Sequence, residues 1–172
     1  MVAYSPCTVL MARRPKEKAC EDYMAELGTR KLNVVVAVDG SVGAEHSLEW
    51  IAKNSDQVGL VTLVNVRSLV AFPDGYEGMG LDAWIADEPE AAQKVVDTAT
   101  AKLADCGVEV MTKVRSGKPA HEIIAEAQES GADVVIIGAT RHSAIERFLI
   151  GSVSFEVAVA ATCSVVVVRP NS

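Results

Sequence analysis

Two glycines in the last third of the chain stand where backbone N–H groups could bind an anion. Gly138 ends the strand-like run 133–138, and Gly151 and Ser152 begin a later run with helical spacing. A strand end, a loop and a helix start in this order present unpaired N–H groups and the positive end of a helix dipole. The hydroxyls of Ser152 and Ser154 can add donors. The pattern predicts a phosphate-binding loop, and ordinary capping of the last helix by Ser152 is the alternative.

An earlier strand also ends in polar residues. The apolar run Val34 to Val38 leads directly into Asp39, Gly40 and Ser41. Because parallel sheets bind ligands beyond the carboxyl ends of their strands, Asp39 and Gly138 should converge if their strands are neighbours. The alternative is that Asp39 only caps the helix that follows it.

These motifs resemble the universal stress protein family. In that family a glycine, two residues, a second glycine, nine residues and then Gly-Ser or Gly-Thr surround the ribose and phosphates of ATP. Gly138, Gly151 and Ser152 stand at this spacing, whereas Arg141 occupies the position of the second glycine. The segment 34–41 resembles the family's first strand and its aspartate, and the similarity continues in segments 114–120 and 163–170. The resemblance covers residues 33 to 170.

The resemblance implies that ATP, with Mg or Mn, binds at the carboxyl end of the sheet, with Asp39 on the adenosine side. The nucleotide-binding positions that it implies are Val38, Asp39, Gly40, Ser41, Val66, Gly117, Gly138, Thr140, Arg141, Gly151, Ser152, Val153 and Ser154. Arg141 has three interpretations. Its side chain blocks the approach of backbone to phosphate, its guanidinium binds the phosphates, or it is an exposed cation in a site that no longer binds ATP. His142 and Arg147 add positive charge to the same loop, which favours the second.

Strand-like and helix-like runs alternate from Lys31 onward and would position these residues. Apolar, β-branched runs predict strands at 34–38, 60–66, 134–137 and 165–168, and alternation predicts a shorter strand at 108–114. Helical spacing predicts helices at 43–53, about 87–105, 119–128 and 152–161. Such alternation implies parallel strands joined by right-handed crossovers. We predict an α/β, Rossmann-like fold with a five-stranded, parallel, doubly wound sheet and helices on both faces. The family resemblance adds likeness to the adenine-nucleotide alpha hydrolases.

The chain divides into a leader and one domain. Residues 1–30 form an N-terminal leader in which Pro15 and Gly28 delimit a short predicted helix, and residues 31–172 form the domain that resembles the family. A length of 172 residues with 49% hydrophobic composition suits a single core. Residues 68–86 contain Pro73 and three glycines and predict a long loop, which is usually functional or mobile.

Composition excludes several classes of partner. A net charge of −7 argues against nucleic-acid binding, which depends on basic residues. No apolar run approaches the roughly 20 residues that span a bilayer, and the leader lacks the order of charges of a signal peptide. The four cysteines show no C-x-x-C and the three histidines no metal-ligand spacing, which argues against a metal site or a disulfide framework. We expect a cytoplasmic protein with reduced thiols.

The combined prediction is a cytoplasmic, ATP-binding universal stress protein that acts in a stress response through ligand-dependent dimer or partner contacts. No residue stands out as a positioned general base, so at most weak ATPase activity is expected. One alternative is a family member that has lost ATP and acts through dimerisation or protein contacts alone. Another is a slow ATP hydrolase or adenylyl-transfer enzyme, which rests on fold analogy.

The last strand predicts a homodimer. Val165 to Val168 is a purely apolar strand at the end of the chain, and at a sheet edge it would invite pairing with another copy. The resemblance implies the same interface. Coverage of this strand by the N-terminal leader is the alternative.

Overall fold

The computed structural model describes residues 8–13, 30–68, 89–139 and 151–169. Within them, one sheet contains the strands β1 (Val9–Met11), β2 (Leu32–Ala37), β3 (Val58–Arg67), β4 (Glu109–Ser116), β5 (Val134–Gly138) and β6 (Ser164–Val168). The α-helices are α1 (Val42–Lys53), α2 (Pro89–Leu103), α3 (Pro119–Glu129) and α4 (Ser152–Ala160). Short 3-10 helices lie at Ser55–Gln57 and Ala104–Cys106.

The strand order β1-β6-β5-β2-β3-β4 defines a doubly wound sheet. Strands β2 to β6 are parallel, and β2 pairs with β3 on one side and β5 on the other. The predicted α/β, Rossmann-like class is therefore confirmed. The predicted count of five strands is wrong, because a sixth strand from the leader, β1, pairs antiparallel with β6.

Helices cover both faces of this sheet because successive strand residues point to opposite faces. On one face, Val34 and Val36 of β2 pack with Leu48 and Ile51 of α1, and the same core includes residues of α2. On the other face, Val35 belongs to a second core that includes residues of α3 and α4. The central strands are buried on both faces, which explains their continuous runs of valine and isoleucine.

The N-terminal leader pairs with the last strand, β6. Val9, Leu10 and Met11 lie opposite Val167, Val166 and Val165. The Arg13 guanidinium donates to the carbonyl oxygens of Ala158 at 2.6 Å and Cys163 at 3.4 Å. A cation at the last carbonyls of α4 satisfies acceptors that the helix leaves unpaired.

This arrangement corrects the position predicted for the last strand. Strand β6 is not at the sheet edge, because β1 covers it, so its free edge cannot be the basis of a homodimer. The homodimer itself stays a prediction. The predicted leader helix at 15–28 and most of the predicted loop at 68–86 lie outside the described residues. In the described part of the chain, no helix combines the length and apolar character that crossing a bilayer requires.

Candidate functional site

A cavity of about 230 Å³ lies at the carboxyl ends of β2, β3 and β5. It lies at the point where strand order reverses, because β2 pairs with β3 on one side and with β5 on the other. Doubly wound sheets open a ligand-binding crevice at this point. Strand ends form its floor, and the first turns of α3 and α4 form part of its wall. Its lining residues are Ala37, Val38, Asp39, Ser41, Ala44, Val66, Ser68, Pro119, Ile123, Ile137, Gly138, Val153 and Ser154.

Seven of the residues singled out from the sequence meet in this cavity: Val38, Asp39, Ser41, Val66, Gly138, Val153 and Ser154. Gly40 lines a neighbouring cleft instead. Gly117, Gly151 and Ser152 do not line the cavity. Thr140 and Arg141 lie outside the described residues, as do His142 and Arg147.

The turn after β2 fixes the Asp39 side chain. Its Oδ1 accepts a hydrogen bond from the Ser41 backbone N–H at 2.9 Å, and Gly40 between them has φ +76°, a value that favours glycine. The N-cap of α1 is Ser41, whose Oγ accepts from the Ala44 N–H at 3.2 Å. Asp39 therefore shapes the turn without capping α1. Its carboxylate is exposed, and Oδ2 takes no hydrogen bond from the described residues.

Ser154 connects α4 to the end of β5. Its hydroxyl donates to the Gly138 carbonyl oxygen at 2.8 Å, and the residue is 2% exposed. Because a hydroxyl has one proton to donate, Ser154 can offer a ligand only its lone pairs in this arrangement. The bond holds the first turn of α4 against the strand end.

Among the described residues, the donors at this end of the cavity are therefore backbone groups. The Phe155 N–H donates to the Gly151 carbonyl oxygen at 2.9 Å and closes the first turn of α4. Gly151, at the N-cap, has no side chain with which to cap the N–H groups that follow. The first N–H groups of a helix have no partner within it, and they favour an anion together with the helix dipole.

Gly117 acts through the turn that it makes between β4 and α3. Its N–H donates to the Arg67 carbonyl oxygen at 2.9 Å. Pro119 then occupies the first turn of α3, whose fixed φ suits that position, and α3 brings Ile123 to the cavity wall. Ser68 and Pro119 could have been found from the sequence as residues next to strand and helix ends. Ile123 could not, because its direction depends on how α3 packs on the sheet.

A second cleft, of about 310 Å³, lies between α1 and α2. Its walls are mostly apolar and include Leu48 and Val95, and Lys102 at its margin binds Glu45 at 2.6 Å. Val38 and Ala44 line both the cleft and the cavity. Among the described residues, no group of three or more His, Cys, Asp or Glu is arranged to hold a metal ion.

Comparison with known proteins agrees with this architecture. Residues 32–169 match the model of the universal stress protein family. A universal stress protein of Bacillus subtilis is 27% identical over 148 residues, which cover 79% of this chain and 97% of that protein. Another, from Methanocaldococcus jannaschii, is 32% identical over 142 residues, covering 79% of this chain and 81% of that protein.

Solved structures show the same fold. A universal stress protein in complex with cAMP superimposes with a TM-score of 0.58 at 19% identity, covering 82% of this chain and 98% of that one. A universal stress protein family protein from Arabidopsis thaliana with AMP bound gives a TM-score of 0.55 at 22% identity, covering 82% and 93%. The family predicted from the sequence motifs is confirmed, since its model covers most of the chain, and this chain belongs to the universal stress protein family.

Proposed function

We propose that this chain binds an adenine nucleotide, ATP in the first place, in the cavity at the carboxyl ends of β2, β3 and β5. One observation carries the proposal: the cavity brings an exposed carboxylate, apolar walls and the uncapped first turn of α4 together at the point where strand order reverses. A nucleotide has matching parts, namely hydroxyl and amine donors, an apolar ring face and an anionic phosphate chain.

Each part of the nucleotide has a proposed place. Val38, Val66 and Ile123 supply apolar surface for the adenine ring. Asp39, through Oδ2, accepts a hydrogen bond from the ribose or the adenine amine. The N–H groups of Ser152 and Val153, at the positive end of the α4 dipole, donate to the phosphates. Gly40, Gly117, Thr140 and Arg141 are assigned to the site from the family spacing alone, and a Mg or Mn ion would bind with the phosphates.

The nucleotide class is supported by the two relatives that hold AMP and cAMP. ATP is proposed over these because a helix N-terminus favours the ligand with the greater phosphate charge. In the cell we propose a cytoplasmic stress-response module whose nucleotide alters its dimer or partner contacts, with at most weak ATPase activity. Two observations favour a second candidate, a member that has lost ATP: the Ser154 proton is already donated to Gly138, and Arg141 replaces a family glycine.

Ligand-dependent stability separates the two candidates. ATP with Mg, AMP and cAMP are each added to the purified full chain, and thermal unfolding and binding heat are measured. A ligand at about 100 times its Kd stabilises the folded state by about 2.7 kcal/mol, which raises Tm by several degrees. We expect the largest rise with ATP. Unchanged melting curves together with no binding heat would support the second candidate.

A charge-removing variant locates the site. Asp39→Asn keeps an oxygen that can accept from the Ser41 N–H but removes the negative charge and the second acceptor. We expect ATP affinity to fall about tenfold, the effect of losing one hydrogen bond to a charged group. Asp56→Asn is the matched control, since Asp56 is an exposed carboxylate before β3, at the opposite end of the sheet. Equal affinities of the two variants would place the nucleotide elsewhere.

A further inference from the structure

The sheet has two edges, and only one of them is long. Among the described strands, β1 forms one edge with three residues, whereas β4 forms the other with eight and has β3 as its one neighbour. Six of the eight β4 residues are exposed, and Met111 and Val114 keep 45% and 38% of their surface. An exposed strand of this length presents a row of backbone donors and acceptors to another strand.

Backbone alternation restricts how a partner can pair with β4. The Gly117 N–H points at β3, because it donates to the Arg67 carbonyl oxygen. Counting back along the strand, the backbone groups of Met111 and Lys113 also face β3, and those of Val110 and Thr112 face outward. Two antiparallel copies pair outward-facing residues with each other. A twofold axis must therefore set one residue of β4 opposite the same residue of the other copy, and it cannot lie midway between two successive residues.

Side-chain charge selects among the remaining registers. With the axis at Met111, Glu109 of each copy lies opposite Lys113 of the other, and Met111 meets its own counterpart. These are the non-hydrogen-bonded pairs, in which opposing side chains approach most closely. With the axis at Lys113, two ammonium groups face each other.

An axis at Val110 sets Glu109 opposite Met111, and an axis at Val114 sets Lys113 opposite Arg115, which are like charges. An axis at Thr112 sets Glu109 opposite Arg115. The Arg115 guanidinium already donates to three carboxylates of its own chain, those of Glu122, Glu126 and Glu129. A fourth carboxylate there gains little, and Lys113 would face Met111 instead of Glu109. Among these registers, only the axis at Met111 sets Glu109 opposite Lys113.

We propose that β4 binds a second copy of this chain, antiparallel and about an axis at Met111. An edge lysine normally keeps strands apart, because pairing buries its charge. Here Glu109 of the second copy neutralises Lys113, so the edge favours its own copy over other strands. Because a twofold pairing uses the same edge of both copies, it closes at two copies. The proposal is independent of nucleotide binding.

A charge swap tests the interface. Glu109→Lys sets like charges opposite Lys113, and Lys113→Glu sets like charges opposite Glu109, whereas the double variant restores both pairs. Sedimentation of the full chain at about 100 μM should show a wild-type dimer, weakened at least about tenfold in each single variant and recovered in the double. A monomeric wild type, unaltered single variants or a double variant that fails to recover would each overturn the proposal.

Cross-linking tests the register. Met111→Cys should form an intermolecular disulfide under mild oxidation, because residues paired across the axis lie within the Cα distance that a disulfide needs. Thr112→Cys is the matched control, as an exposed neighbour whose side chain points to the other face. The wild type under the same oxidation measures any background from its own cysteines. Equal cross-linking of the two variants, or preference for Thr112→Cys, would overturn the axis at Met111.

Discussion

Gly138 lies against the backbone of Gly43, where the first turn of α1 passes the carboxyl end of β5. A Cβ atom on Gly138 would overlap the Cα, carbonyl carbon and carbonyl oxygen of Gly43. The first glycine of the family motif is thus required for packing, whatever it does for a nucleotide. Its backbone φ is not in the left-handed region, so space, and not conformation, is what demands a glycine here.

Gly138→Ala should therefore destabilise the protein with or without a nucleotide. Overpacking of a tight core contact costs about 1 to 3 kcal/mol, and here the obstacle is backbone that cannot rotate away. Urea unfolding measures the loss. Gly131→Ala is the control, because its Cβ would meet nothing within 4 Å and it tests only the positive φ of +62°. A smaller loss at Gly138 than at Gly131 would refute the packing explanation.

Strand β4 and helix α3 are joined by one arginine. Arg115 donates to Glu122 at 2.9 Å, to Glu126 at 2.7 Å and to Glu129 at 2.9 and 3.1 Å. The three glutamates recur at spacings of four and three residues, which places them on one face of α3. Hydrogen bonds from Arg115 hold the pKa values of the Glu122 and Glu129 carboxyls below their usual range. Glu126 is buried, and its carboxylate accepts from the Arg115 guanidinium.

Arg115→Met should make the free energy of unfolding depend less on pH in the acidic range. A carboxyl whose folded pKa is lowered stabilises the fold above its unfolded pKa of about 4.3, and this contribution disappears as pH falls through the folded value. At pH 7 the variant should melt about 5 °C lower, since Glu126 is left buried without a counter-charge. The gap between the two proteins should narrow from pH 5 toward pH 3. A constant gap over that range, measured by thermal unfolding, would contradict the ion-pair explanation.

The double variant Arg115→Met with Glu126→Met provides the control. It removes the buried carboxylate together with its partner, so part of the lost stability should return at pH 7. Lys102→Met is the comparison at an exposed pair, because Lys102 and Glu45 are both largely solvent-accessible and should contribute little.

At the scale of the whole molecule, the parallel core could be read from the sequence because its strands are continuous apolar runs. The predicted strands 134–137 and 165–168 are close to the observed β5 and β6, and the predicted helix 119–128 is close to α3. Strand β1 could not be predicted. It has three residues, too few for any periodicity, and its partner lies at the far end of the chain.

Part of the candidate site could likewise be predicted from the sequence, and part could not. Asp39 and Gly138 follow strand ends, so the rule for parallel sheets brings them together from sequence alone. The direction of the Ser154 hydroxyl could not be inferred, because it depends on where the Gly138 carbonyl oxygen lies after α4 has packed. The same limit applied to the last strand, whose apolar residues indicate burial but not which strand covers them.

The attachment of the leader also has a consequence for the order of folding. Arg13 binds Ser164, which lies 151 residues further along the chain. At about 5 to 20 residues per second, a ribosome needs roughly 8 to 30 s to make that stretch. Throughout that time β1 has no strand to join, whereas β2 and β3 are neighbours in sequence and can pair early.

The beginning of this chain is therefore the last part of the sheet to be completed. During refolding, pulsed hydrogen exchange should show the β1 amides gaining protection after those of β2 and β3. Simultaneous protection of the three strands would mean that β6 recruits the leader as soon as the core collapses. If the β1 amides gain protection late, β6 stays uncovered until the N-terminal strand pairs with it, and during that interval its apolar edge is open to other chains.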